Sequence, residues 1–371
     1  MRCPDYDTAR VKESVHALLA PLGGMQSFVS TGQTVLIKPN LIHGTPPERG
    51  ATTHPAVLRA VIEEVRSAGG RPVIGESPGY ESFTTAARKS GLLPVIEELD
   101  VPVVAFDTWT EVQLGPGHLV PSLPIAEPVA AADAVISLPK VKSHGLVVYT
   151  GCVKNMFGVI CGMQKAQYHL RFQDREVFSR LLAEVYSVAR PTLSILDGIV
   201  GMDGNGPRNG DPAPLGVMLA GADGVAVDAV ACRIVGIDPL ESPPIRIAAR
   251  MGLGTASLPE IDLAGPPIEA LKTKGFRAPR SVRPSVRQRL MSGRTGGVLR
   301  NLLTTRPTVN PGGCRGCTIC ARACPAQAIE MHHGKARINY SKCVRCYCCQ
   351  EVCEHGAVEL ATPPLARLLR R

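Results

Sequence analysis

The chain has 371 residues, 44% hydrophobic and 4% aromatic, and carries a formal net charge of +9. That length suits one large domain and a small one. The opening residues Met1-Arg2-Cys3-Pro4-Asp5 lack the apolar core of a secretory signal, and the apolar run 119–139 is broken by four prolines, Glu127 and Asp133, so neither export nor a membrane span is expected. The positive excess is local: residues 270–329 contain Lys272, Lys274 and ten arginines but no acid. A basic stretch without interleaved aromatics argues for a solvated linker and against nucleic-acid binding.

In chain order, short apolar runs read as strands at 34–38, 72–75, 101–106, 134–138, 193–196 and 216–220. Runs of this length suit strands covered on both faces. After the first, residues 55–68 place Val57, Leu58, Val61, Ile62 and Val65 at helical spacing, with Thr53 as cap, Pro55 in the first turn and Gly69-Gly70 at the end. Residues 174–189 and 225–235 read as further helices. Strands alternating with helices predict an α/β fold over residues 1–275, a mostly parallel, doubly wound sheet with helices on both faces. Residues 276–306, rich in Arg, Pro, Ser and Gly, read as a basic linker with short helices at 286–290 and 298–303.

Several strands end in polar residues that a fold does not require. Lys38-Pro39-Asn40 closes the first, Glu76-Ser77-Pro78-Gly79 follows the second, Pro139-Lys140-Val141-Lys142-Ser143-His144 follows the fourth, and Asp197-Gly198 follows the fifth. In open α/β sheets the carboxyl ends of strands share one rim, where ligands bind. Lys38, Lys140, Lys142 and Lys154 would make that rim cationic and suited to a carboxylate or phosphate; the competing reading is solvated surface lysines. His144, Lys140 and Lys142 are the candidate catalytic groups. His144 leads as proton donor because its ordinary pKa is near neutral, with a capping or packing role as its alternative. Lys38, Asn40, Lys154 and Asn155 are the candidate ligand- or cofactor-binding groups.

Gly151, Gly158 and Gly162 suit close backbone approach to a ligand, or turns. Asp203-Gly204-Asn205-Gly206-Pro207 reads as a turn, with too few acids for a calcium loop. No P-loop, dinucleotide fingerprint or nucleophile elbow occurs, which disfavours a P-loop ATPase, a dinucleotide enzyme and a serine hydrolase.

Near the C-terminus, Cys314, Cys317, Cys320 and Cys324, closed by Pro325, follow the spacing C-x2-C-x2-C-x3-C, and Cys343, Cys346, Cys349 and Cys353 repeat it. Thiolates so spaced wrap [4Fe–4S] clusters, and in two-cluster ferredoxins the last cysteine of each run serves the other cluster. Two [4Fe–4S] clusters are therefore expected, one on Cys314, Cys317, Cys320 and Cys353 and the other on Cys343, Cys346, Cys349 and Cys324. Zinc sites use cysteine pairs or cysteine–histidine mixtures instead. Cys3, Cys152, Cys161, Cys232 and Cys348 remain, without a disulfide rhythm. Cys152, Cys161 and Cys348 read as packed, non-ligating thiols. Such thiols imply a reducing compartment, taken as the cytoplasm. Oxidised clusters, about −2 each, offset part of the basic excess.

Residues 307–362 resemble the bacterial-type two-[4Fe–4S] ferredoxin domain, a small α+β unit in which 335–340 suit a hairpin strand. Residues 363–371 form a basic tail, and Glu354 stands where that family usually has proline. Upstream, Lys38-Pro39-Asn40, Thr52-Thr53-His54-Pro55, Pro139-Lys140-Val141-Lys142-Ser143-His144 and Lys154-Asn155-Met156-Phe157-Gly158 resemble the DUF362 family over about residues 30–240. Its members often carry such a ferredoxin, and Cys346-Tyr347-Cys348-Cys349 looks like their second run. The resemblance implies no substrate. Two functions follow. One is an iron–sulfur reductase delivering electrons to an anionic small molecule in the α/β domain. The other is a non-catalytic electron carrier or assembly factor, docking a redox partner protein steered by linker residues such as Arg287 and Arg289.

Overall fold

The computed structural model describes residues 1–79, 81–162, 164–277 and 305–363. The expected linker helices at 286–290 and 298–303, and the tail beyond residue 363, lie outside these residues.

The large domain contains β1 (Thr34–Pro39), β2 (Arg71–Ile74), β3 (Trp109–Gln113), β4 (Ser122–Ala126), β5 (Ala134–Leu138), β6 (Lys140–His144), β7 (Val148–Thr150), β8 (Leu193–Asp203) and β9 (Asp211–Gly221). Seven of them form one sheet in the order β2-β1-β5-β8-β6-β7, with β9 also on β8. Pairs β1–β2, β1–β5, β5–β8 and β6–β8 are parallel, whereas β6–β7 and β8–β9 are antiparallel. The sheet is thus mostly parallel, as expected. Side-chain alternation sorts its two faces. Val35 and Ile37 of β1 join one core with Val57, Val61 and Val65 of helix Pro55–Ser67. Leu36 joins the other, with Leu181 and Val185 of helix Arg175–Val188 and Val230 of helix Gly224–Ile234. Both of these latter helices are capped by an aspartate: Asp174 accepts the Glu176 and Val177 N–H groups, and Asp223 those of Val225 and Ala226.

Three expectations need correction. The run 101–106 is not a strand but an isolated bridge of Val103 to Ile74, because Pro102 has no N–H to donate and Val103 is largely exposed. Thr53 does not cap helix Pro55–Ser67; the His54 ring accepts the Ala56 N–H at 3.2 Å. The Thr53 hydroxyl instead accepts the Asn40 N–H at 2.8 Å and donates to Leu138 O at 2.6 Å, tying the end of β1 to that of β5. Finally, residues 140–144, expected as a polar ending after the fourth strand, are themselves a strand. They form β6, which carries the line of β5 onward past Pro139 and pairs with the far half of β8.

The C-terminal domain pairs β10 (Arg306–Val309) with β13 (Val358–Ala361), and β11 (Ile329–His332) with β12 (Lys335–Ile338). Short helices Ile319–Arg322 and Cys348–Val352 complete it. It docks on the loop between β8 and β9. Gln350 Nε2 donates to Asn205 O and Gly206 O, both at 3.1 Å, and Asn209 Nδ2 donates to Gln350 O at 3.2 Å and Cys353 O at 3.0 Å. Glu354, the departure from the ferredoxin pattern, pairs with Lys89 at 3.2 Å and Arg208 at 3.3 Å. A carboxylate at this position therefore ties the two domains together. Among the described residues no helix is long and apolar enough to cross a membrane.

Candidate functional site

The rim lysines are buried, and each has its own partner. Lys38, at the end of β1, pairs with Glu76, which follows β2. Burial pushes the Lys38 ammonium down and the Glu76 carboxyl up, each opposed by the other's charge. Lys140 donates to Asp197 at 2.8 Å and to the Tyr6 hydroxyl at 2.6 Å. Lys142 has no carboxylate partner among the described residues; it donates to Asn40 Oδ1 at 3.1 Å and Ala51 O at 2.9 Å. Burial, then the like charges of Lys154 and Lys140, hold its pKa well below the usual value.

A cavity lies where the carboxyl end of the sheet meets the C-terminal domain. Its polar lining includes Asn40, Glu76, Lys142, Lys154, Asn155, Lys165, His169 and Glu351, and Leu41, Phe157 and Val352 supply apolar walls. About 120 Å³ is open to water centres, several times the ~10–15 Å³ that one water requires. Of the expected binding residues, Asn40, Lys154 and Asn155 line it, while Lys38 stands one layer behind, 3.4 Å from Asn155 Oδ1. Of the expected catalytic residues, only Lys142 lines it. Lys140 belongs to the buried Asp197–Tyr6 cluster. His144 is fully buried: its Nδ1 accepts the Leu146 N–H at 3.0 Å, and its Nε2 lies 3.0 Å from Glu351 Oε1, too poorly aligned for a hydrogen bond. Burial and then Lys154 push the His144 pKa down to about 4. That favours a neutral ring, buried beside Glu351 and outside the cavity lining.

Sequence reasoning did not single out Lys165, His169 or Glu351. Lys165 donates to Ser77 O at 2.6 Å, Ser77 Oγ at 2.7 Å and Ile160 O at 2.9 Å, and burial lowers its pKa to about 8. Burial alone would raise the Glu351 carboxyl, but the charge of Lys154 outweighs it and holds the group well below the ordinary range. The Lys154 side chain lines the cavity and makes no hydrogen bond or ion pair among the described residues, so its ammonium is available to a ligand. Gly151, Gly158 and Gly162 all line the cavity, and the first two also make room for buried carboxylates. A Cβ on Gly151 would fall 1.9 Å from Asp228 Oδ1, and one on Gly158 2.0 Å from Glu76 Oε1.

The C-terminal domain contains two further cavities. Cys314, Cys317, Cys320 and Cys353 line one, and Cys324, Cys343, Cys346 and Cys349 line the other. These are the two interlocked quartets expected from the spacing. In both runs the backbone turns left-handed on either side of the second cysteine: φ is 70° at Gly316 and 64° at Thr318, then 60° at Arg345 and 63° at Tyr347. Three of these four residues bear a Cβ, at a cost of about 1–2 kcal/mol each, so the cysteine loops are held in shape by their surroundings. Backbone N–H groups point at sulfur, Ala336 at Cys314 (3.4 Å) and Ala328 at Cys324 (3.2 Å), as cluster sites require. Four thiolates on one zinc would converge to about 3.8 Å from one another, given Zn–S near 2.3 Å. No group of three or more candidate ligands converges on a single ion among the described residues. Two four-cysteine cavities with backbone N–H groups aimed at sulfur are the donor set that [4Fe–4S] clusters use.

Comparison with known proteins matches two stretches of the chain. A family model described as a domain of unknown function (DUF362) matches residues 35–233, and one described as a 4Fe-4S dicluster domain matches residues 306–354. A thylakoid-associated protein of Synechocystis sp. is 38% identical over 263 residues, 68% of this chain and 78% of that protein. One component of an ion-translocating oxidoreductase complex from Methanosarcina acetivorans is 42% identical over 48 residues, 13% of this chain and 18% of that component. Among solved structures, the lactate racemase apoprotein of Thermoanaerobacterium thermosaccharolyticum superposes with a TM-score of 0.41 at 15% identity, over 60% of this chain and 54% of that one. A Thermotoga maritima protein superposes with a TM-score of 0.39 at 12% identity, over 67% and 60%. The chain belongs to the DUF362 family and bears a C-terminal 4Fe-4S dicluster domain.

Proposed function

We propose that the protein is an iron–sulfur reductase that receives electrons from a redox partner protein and delivers them to an anionic ligand in the cavity between its domains. One observation supports this reading above all. Helix Cys348–Val352 is a wall of both cavities: Cys348, Glu351 and Val352 face the cation-lined one, and Cys349 faces the second cysteine quartet. Clusters held by the two quartets supply electrons one at a time. The chain's own residues do the rest. Lys154 attracts and orients the anion, and Lys165, its N–H groups bonded to Ser77 and Ile160, adds its charge. Lys142, compensated by no carboxylate, supplies a proton beside it. Leu41, Phe157 and Val352 limit water and so strengthen these charges. The Lys38–Glu76 pair and Asn155 hold the wall behind them.

The matched segment of the ion-translocating oxidoreductase component adds weight to electron transfer. The free thiols favour a reducing compartment such as the cytoplasm. The test is a binding screen of small carboxylates and phosphates against anaerobically purified protein, with Lys154→Met and Lys165→Met alongside. Binding that weakens at least tenfold in the variants supports the reading. If no anion binds, or the variants bind as well as the wild type, the reading fails and a docking module without a ligand remains.

A further inference from the structure

The three buried lysines of the sheet differ in one respect. Lys38 faces Glu76 and Lys140 faces Asp197, whereas Lys142 has two neutral acceptors, Asn40 Oδ1 and Ala51 O. A neutral amine has two N–H groups and one lone pair; an ammonium has three N–H groups. Two acceptors therefore satisfy the neutral form completely and leave its third position open, on a side chain that lines the cavity. We propose that Lys142 stands in the empty cavity as a neutral amine and takes up one proton when a small oxyanion docks there. This rests on the cavity being an anion site, as argued above.

The surroundings agree. Lys142 is fully buried, and Lys154 and Lys140 oppose its charge while the more weakly acting Glu351 and Glu76 favour it. An oxyanion placed between Lys142 and Lys154 would reverse that balance by supplying the missing counter-charge and a third acceptor. The proton comes from solvent as the anion enters, and the ion pair then resides in a site partly closed to water. The ligand class that follows is a small carboxylate or phosphate arriving as the free anion, with the proton delivered beside it before any electron.

Calorimetry on the anaerobic full-length protein tests this, with sodium acetate and then potassium sulfate, a phosphate-shaped anion that does not itself titrate near neutral pH, as probes. Titrations near pH 7.5 in two buffers of different ionisation enthalpy give the number of protons taken up per anion. The expected result is about one proton for the wild type and close to zero for Lys142→Met. Lys142→Arg, whose guanidinium is always charged, should bind with no proton uptake and serves if the methionine variant does not fold. Anion binding without proton uptake, or uptake undiminished in both variants, would overturn the inference and leave the anion site standing. Failure of both probes to bind would overturn both.

Discussion

Replacing Asp197 by Asn tests whether the buried lysines are set by their partners. Both side chains of the pair are almost completely buried, Lys140 at 1% and Asp197 at 0% exposure. The carboxylate accepts four hydrogen bonds: from Lys140 Nζ at 2.8 Å, the Tyr6 hydroxyl at 2.8 Å, the His54 N–H at 3.0 Å and the Ile199 N–H at 3.3 Å. The Asn side chain keeps the shape and one acceptor but leaves the Lys140 charge uncompensated. Removing one member of a buried pair costs about 3–5 kcal/mol. At roughly 2 °C per kcal/mol for a chain of this size, the melting temperature falls by about 6–10 °C. Urea unfolding of the anaerobic protein should show a lower midpoint with unchanged slope. The double variant Lys140→Met/Asp197→Asn should recover at least ~1 kcal/mol of the loss, because no charge is then stranded. It should also retain anion binding, since Lys140 does not line the cavity. A loss below about 1 kcal/mol for Asp197→Asn, or a double variant no better than the single, would refute the reasoning.

Other perturbations follow from the same contacts. His169 packs edge-on to Phe157 with centroids 5.9 Å apart, and burial, opposed by Glu351, pushes its pKa down to about 4. Because that lies below the ordinary value of 6.5, the unfolded chain binds more protons in between, and stability is lost as pH falls from about 6.5 to about 4. Denaturation across that window should show a smaller loss for His169→Phe than for the wild type. Gln350→Leu leaves the Asn205 and Gly206 acceptors without their donor; a loss of about 1–3 kcal/mol should appear as faster amide exchange in the loop 204–210, with the sheet unaffected. Gly158→Ala drives a methyl group to within 2.0 Å of Glu76 Oε1, and a destabilisation of about 1–3 kcal/mol in thermal denaturation is expected.

What was legible in the sequence depended on how local the signal was. β1, β5 and the start of β8 were readable because a strand covered on both faces is apolar along its whole length. The cysteine quartets were readable because their spacing is itself the geometry of the ligand shell. Residues 140–144 read as a polar ending of the fourth strand, although Lys140, Lys142 and His144 alternate with Val141 and Ser143. Their polarity is balanced by Asp197, Asn40 and Glu351, which are far away in sequence. For the same reason Lys140 and Lys142 looked equivalent, and only tertiary structure separates a paired lysine from an unpaired one. Lys165 and His169 sit in the short helix Gln164–Arg171 with no motif around them. Glu351 was hidden inside a run that had already been explained by its cysteines.

The most direct test of the account is an anaerobic redox titration followed by electron paramagnetic resonance, with and without a saturating concentration of the anion that binds. Two reduction steps are predicted, and an anion that carries more charge than the one proton taken up with it, such as phosphate, should move one of them to lower potential by tens of millivolts, roughly as expected for a net unit charge in a partly buried site. The second quartet shares helix Cys348–Val352 with the cavity, so the step lost in Cys343→Ser should be the one that moves. Two steps that both ignore the anion, or a protein that yields no reducible paramagnetic centre, would contradict it.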